Sequence, residues 1–146
     1  MTGDLQNLYQ ELILDHSRTP HGFGLRDQVA AQSHQVNPTC GDEVTLQLHR
    51  AADGTIEAVA WEGHGCAISQ ASASLLAELA EGLSVADLEV RIEAFREAMR
   101  SRGTIAPDEA LLGDAAALGG VSRYVARVKC AMLAWVAAED ALHRFV

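Results

Sequence analysis

The stretch Asn37 to Asp42 reads NPTCGD and sets a thiol two residues from a carboxylate, with a proline before them and a glycine between them. Two more cysteines follow far along the chain: Cys66, after Gly63-His64-Gly65, and Cys130, directly after Lys129. A thiolate is both a nucleophile and a soft metal ligand, so access and nearby positive charge decide what it does. Three thiolates and one carboxylate, from Cys40, Cys66, Cys130 and Asp42, suit a tetrahedral zinc ion, which accepts both donor types. One divalent ion in that shell leaves a formal charge of about −2, and Arg127 and Lys129 are near enough in sequence to Cys130 to offset part of it. Iron–sulfur clusters also take cysteine, but they more usually want four thiolates. His64 and His16 are further candidate ligands. The alternatives stay open at this point. Free cysteines suit a buried apolar position, Asp42 suits a turn that bonds its own backbone, and each histidine suits a surface hydrogen bond. There is no CxxC pair, so spacing alone does not choose.

Such scattered side chains need elements that carry them to one place. Asp4 to about Asp15 has Leu5, Leu8, Leu12 and Ile13 at helical spacing, and HSRTPHGFG then breaks the helix with Pro20 and two glycines. Gln28 to Val36 is a weakly alternating strand. EVTLQLHR alternates well, with Val44, Leu46 and Leu48 on one face, and Asp53-Gly54 is a hairpin turn. IEAVAWEG returns as a strand with Ile56, Ala58 and Ala60 on one face and Val59 and Trp61 on the other. The period then changes. Gly63 to Gly82 carries small residues and leucines at helical spacing up to a glycine stop. Ser84 and Asp87 open a third helix with a capping-box-like start, with Val85, Leu88, Ile92, Phe95 and Met99 as its apolar stripe and Gly103 at its close. Thr104 to Gly120 reads as a loop with a short helical turn, and a last helix is expected from about Lys129 to Arg144, with Leu133, Val136, Ala137, Asp140 and Ala141 along one side. The fold class is α+β, a small antiparallel three-stranded sheet packed against helices, in a single domain over 1–146. Cys40 then enters a strand, and Cys66 and Cys130 fall at helix N-termini, where unpaired N–H groups and the macrodipole favour thiolate.

The whole composition bounds the function. The chain has 146 residues, 49% of them hydrophobic and 21% charged, as in ordinary globular domains. A formal net charge of −9 repels phosphate backbones and argues against nucleic acid as a partner. No apolar run is long enough to span a bilayer, and no basic-then-apolar leader opens the sequence, so a cytoplasmic, reducing location without membrane attachment is expected. Three cysteines, an odd count, fit that location better than a disulfide framework.

LYQELILDHSRTPHGFG, NPTCGDEVTLQL, WEGHGCAISQASASLL and RVKCAMLAW together resemble the iron–sulfur assembly proteins of the IscU/SufU family, from Leu8 to about Trp135. The SufU side is favoured by the extra helix between Cys66 and Cys130, Ser84 to Arg102, and by Lys129 where IscU proteins carry a histidine. The proline-containing chaperone-docking motif of IscU is absent from SRYVARVKC. Ser17 and Val125 depart from the SufU pattern, which commonly has an aromatic residue and a proline there. The resemblance implies one zinc ion on Cys40, Asp42, Cys66 and Cys130, and a SufS-type cysteine desulfurase as partner. It implies that a desulfurase histidine takes a place on zinc and frees Cys40, which accepts persulfide sulfur for a downstream iron–sulfur assembly scaffold. On that reading the chain is a zinc-dependent sulfurtransferase with Cys40 as its catalytic residue. The alternative is a scaffold that assembles and transfers a [2Fe–2S] cluster on the same side chains.

Overall fold

The computed structural model describes residues 2–27, 31–38 and 41–144, with side chains from residue 9 onward. Cys40 lies outside the described residues, as does the start of the expected first strand at 28–30. Helix α1 (Thr2–Arg18) leads to strands β1 (Ala31–Asn37), β2 (Asp42–Arg50) and β3 (Ile56–His64). Helices α2 (Ala67–Ala80), α3 (Val85–Arg100) and α4 (Glu109–Leu112) follow, then a 3-10 helix (Gly113–Arg123) and α5 (Val125–His143). Among the described residues, no helix is long and apolar enough to cross a membrane.

The strands form one antiparallel sheet in the order β1-β2-β3. Leu46 pairs with Trp61 and Leu48 with Val59, and all four side chains are buried in the core that α2 and α5 close. One departure from simple alternation sits at the hairpin end. Arg50 pairs with Ile56 while His49 pairs with Ala58, so the register skips Glu57. A bulge of this kind re-aims the residue beside it, and Ile56 joins Val59 and Trp61 in the core instead of sharing a face with Ala58 and Ala60.

Helix α3 starts as its capping residues dictate: the Ser84 hydroxyl accepts the Asp87 N–H at 3.1 Å. Leu88, Ile92, Phe95 and Met99 are buried along its stripe. Phe95 stacks on Trp135 of α5 with ring centroids 4.0 Å apart. Arg96 reaches Glu139 of α5 and Glu93 of its own helix, each at 2.7 Å. The Glu139 hydrogen bond is the main cause that raises the guanidinium's pKa above its ordinary value, against some desolvation. At the other end of the fold, Tyr9 donates to Glu109 at 2.8 Å and ties α1 to α4. That bond, with burial and the carboxylate's charge, raises the phenol's pKa.

Two expectations are corrected here. The stretch after Gly103 is more helical than a loop with one turn, since α4 and the 3-10 helix span most of it. Helix α5 begins at Val125, a full turn before Lys129, with Tyr124 as an extended N-cap whose carbonyl accepts the N–H groups of Arg127 and Val128 at 2.8 and 3.1 Å. Nothing between Tyr124 and Cys130 breaks a helix, so the helix propagates back until the chain must turn. Its buried face also differs from the expected one: Val136 is 37% exposed, and Cys130, Ala134, Ala138 and Leu142 join Leu133, Ala137 and Ala141 inside.

Candidate metal centre

The site is assembled where β2 begins, β3 has just ended and α5 passes by. Asp42 is the first residue of β2, and its position follows a tight turn. Gly41 has φ +76° and donates its N–H to the Asn37 carbonyl at 2.8 Å, a left-handed conformation that side chains other than glycine rarely accept. The carboxylate is not a surface turn group: Asp42 is 2% exposed. Its Oδ1 accepts the backbone N–H of Cys66 at 3.1 Å, across 24 residues of sequence.

Cys66 is the N-cap residue of α2 in an extended conformation, and its thiol makes no capping bond. The Asp42 carboxylate meets this helix end, where the dipole and a free N–H favour an anion. Gly65 makes the approach feasible. A Cβ built on it would collide with the Asp42 carboxylate and with the Ser69 hydroxyl. Ser69 donates to the Cys66 carbonyl at 3.0 Å, and its oxygen stands 4.0 Å from Cys66 Sγ.

Cys130 comes from the second turn of α5, not the first. Its N–H lies inside the hydrogen-bonded ladder, so the helix N-terminus does not act on this thiol as expected from the sequence. The residue is buried, and its Sγ lies 3.9 Å from the Ala126 carbonyl oxygen. Arg127 and Lys129 are exposed.

Asp42, Cys66 and Cys130 each bring a ligand atom within 4.8 Å of the other two. Cys66 Sγ and Asp42 Oδ2 are 3.9 Å apart. Ligands around a tetrahedral zinc ion at ordinary bond lengths stand about 3.3–3.8 Å from one another, so two sulfurs and one oxygen at these separations fit a shared ion after a small contraction. The donor set, soft thiolates with one carboxylate, also fits zinc or ferrous iron better than a hard cation such as magnesium.

The two histidines named from the sequence are elsewhere. His64 is 72% exposed and pairs with Glu43 at 2.6 Å, while the other oxygen of Glu43 faces His34 at 3.2 Å. His16 faces α2, with Nδ1 2.6 Å from the Ser74 hydroxyl. Sequence reasoning missed two residues that position the donors, Ser69 and Ser72. Ser72 donates to the Ala131 carbonyl at 2.5 Å and accepts the Trp135 indole N–H at 2.9 Å. It thereby fixes α2 against α5 beside Cys130. Its signal in the sequence is faint, a serine inside a run of small helical residues.

The chain is similar to known proteins over most of its length. The chain matches the NifU-like N terminal domain over residues 8–131. It is 37% identical over 140 residues to the iron–sulfur cluster assembly scaffold protein IscU of Streptococcus pyogenes serotype M1, spanning 96% of this chain and 86% of that protein. It is also 37% identical over 137 residues to the zinc-dependent sulfurtransferase SufU of Bacillus subtilis, spanning 93% and 90%. The crystal structure of the N-terminal NifU-like protein of Brucella abortus superposes with a TM-score of 0.82 at 26% identity, covering 94% of this chain and 93% of that one. A three-stranded antiparallel sheet backed by helices is thus joined to a family match over most of the sequence, and the chain belongs to the NifU-like N-terminal domain family of IscU/SufU iron–sulfur cluster assembly proteins.

Proposed function

We propose that this protein is a zinc-dependent sulfur acceptor that takes persulfide sulfur from a cysteine desulfurase for iron–sulfur cluster assembly. The observation that carries the reading is the convergence of Asp42, Cys66 and Cys130 within 4.8 Å, with Cys40 two residues before Asp42 in the sequence. Cys40, Asp42, Cys66 and Cys130 would hold the ion. Bound zinc keeps its thiolate ligands deprotonated without redox chemistry of its own.

The chain's own residues then have separate tasks. Cys66 and Cys130 sit on helices fixed to each other, and Asp42 is held by the Cys66 N–H; these three are the stationary part. Cys40, next to Gly41 in the sequence, is the nucleophile. Its thiolate attacks the outer sulfur of the desulfurase persulfide. A new S–S bond forms on Cys40, the S–S bond to the desulfurase cysteine breaks, and that cysteine leaves as a thiolate, so charge and electrons balance. The sulfur, now a persulfide on Cys40, passes to a downstream assembly scaffold.

A second reading, a scaffold carrying a [2Fe–2S] cluster, is favoured by the equal identity to a relative named as a scaffold. One experiment separates them. Zinc-loaded protein is incubated with a cysteine desulfurase and free cysteine, then weighed by mass spectrometry. Wild type should gain the mass of one sulfur atom, mapped to Cys40, and Cys40→Ala should gain none. Sulfur on Cys40→Ala at the wild-type rate would remove Cys40 from the role. A stoichiometric cluster after anaerobic reconstitution, transferable to an apo-acceptor, would favour the scaffold.

A further inference from the structure

Far along α2 from the thiols, a second set of donors converges. His16 of α1, Glu78 of α2 and Asp114 of the 3-10 helix come from three separate elements, yet each brings a ligand atom within 4.8 Å of the other two. The set differs in kind from the first: one imidazole and two carboxylates, with no sulfur.

The histidine is already oriented. Ser74 is fully buried on α2, four residues before Glu78 and so on the same side of the helix. Its oxygen lies 2.6 Å from His16 Nδ1 and also accepts the backbone N–H of His21 at 2.7 Å. In the tautomer whose Nδ1–H donates to this fixed oxygen, Nε2 is left as the coordinating atom, which is how outer partners prepare histidine for metal. The charge balance points the same way. Glu78 and Asp114 are exposed carboxylates, and neither takes part in an ion pair among the described residues. Two like charges brought this close repel one another, and a bound cation would relieve that repulsion.

We propose that His16, Glu78 and Asp114 form a second metal site for a divalent first-row transition ion, with water filling the rest of the shell. One nitrogen and two oxygens are harder donors than the thiol-rich centre, so manganese or ferrous iron suits this site while zinc prefers the sulfurs. Such an ion would pin the last turn of α1 and the 3-10 helix to the last turn of α2. This assignment does not depend on the sulfur-acceptor reading.

The test uses full-length protein with its zinc in place, titrated with Mn2+ while electron paramagnetic resonance counts the free ion. One Mn2+ should bind per chain with zinc retained. Glu78→Gln and Asp114→Asn should each weaken that binding at least about tenfold, since losing a ligand exceeds the effect of losing an outer partner. Both positions are exposed, so folding should survive the exchange, and circular dichroism checks it. His16→Ala should weaken binding as well, but its Ser74 contact makes it the less clean variant. Three results would each overturn the site: no Mn2+ bound at millimolar concentration, Mn2+ bound only as zinc is released, or wild-type affinity in both carboxylate variants.

Discussion

At 2% exposure, the Asp42 carboxylate needs compensation for lost water, because a buried charge is costly unless it is paired or hydrogen-bonded. The Cys66 N–H supplies one bond at 3.1 Å, the α2 terminus supplies a favourable field, and a bound cation between Asp42 and the thiols would add to these. Gly65 is the residue that lets the carboxylate in, and Gly65→Ala should push it out of place. Zinc affinity in that variant should fall about 10–100-fold, as for other losses of ligand positioning, measured by competition against a chromogenic chelator. Wild-type affinity in Gly65→Ala would mean that Asp42 does not ligate. Asp42, Cys66 and Cys130 were legible in the sequence as candidate donors, because thiols and a carboxylate beside glycines carry their chemistry in their types. That residue 42 is what approaches Gly65 was not, because a glycine before a helix permits a close approach without naming the group that makes it.

Helices α2 and α5 are the two elements that must keep Cys66 and Cys130 in register, and Ser72 joins them. Its hydroxyl bridges the Ala131 carbonyl, next to Cys130, and the Trp135 indole N–H. Ser72→Ala leaves that buried indole N–H without its acceptor, a loss of about 1–3 kcal/mol. Urea unfolding of the zinc-loaded variant should show it as a lower midpoint with an unchanged slope. A midpoint equal to wild type would show that the two helices hold together without this bridge. The existence of these elements was legible from their periods: the α3 stripe and the β2 alternation both stand as read. Two features were not. Between Gly120 and Cys130 the sequence carries no breaker to mark a helix start, so the α5 boundary was set a turn late and Cys130 was placed in the wrong turn. The skip at Glu57 is likewise invisible, because a bulge changes the facing of Ile56 without changing any residue type.

Across the whole molecule, the metal centre and the core are separable. The sheet, α2 and α5 bury a continuous apolar cluster, with α3 stacked outside α5, and that cluster does not pass through the site's ligand atoms. Zinc binding should therefore add stability by mass action to a protein that already folds. Stripping zinc with a chelator should lower Tm by several degrees, on the order of the shift that 1–2 kcal/mol produces in a domain of this size, and leave far-UV circular dichroism at 25 °C intact. Unfolding on chelation would instead make the ion a structural one. The central claim is that Cys40 completes, on one ion, the shell that Asp42, Cys66 and Cys130 begin. Zinc K-edge X-ray absorption of the loaded protein tests it most directly. Wild type should show three sulfurs at about 2.3 Å and one oxygen at about 2.0 Å, and Cys40→Ala should show two sulfurs. A wild-type shell with two sulfurs or fewer, or a spectrum unchanged by Cys40→Ala, would contradict it.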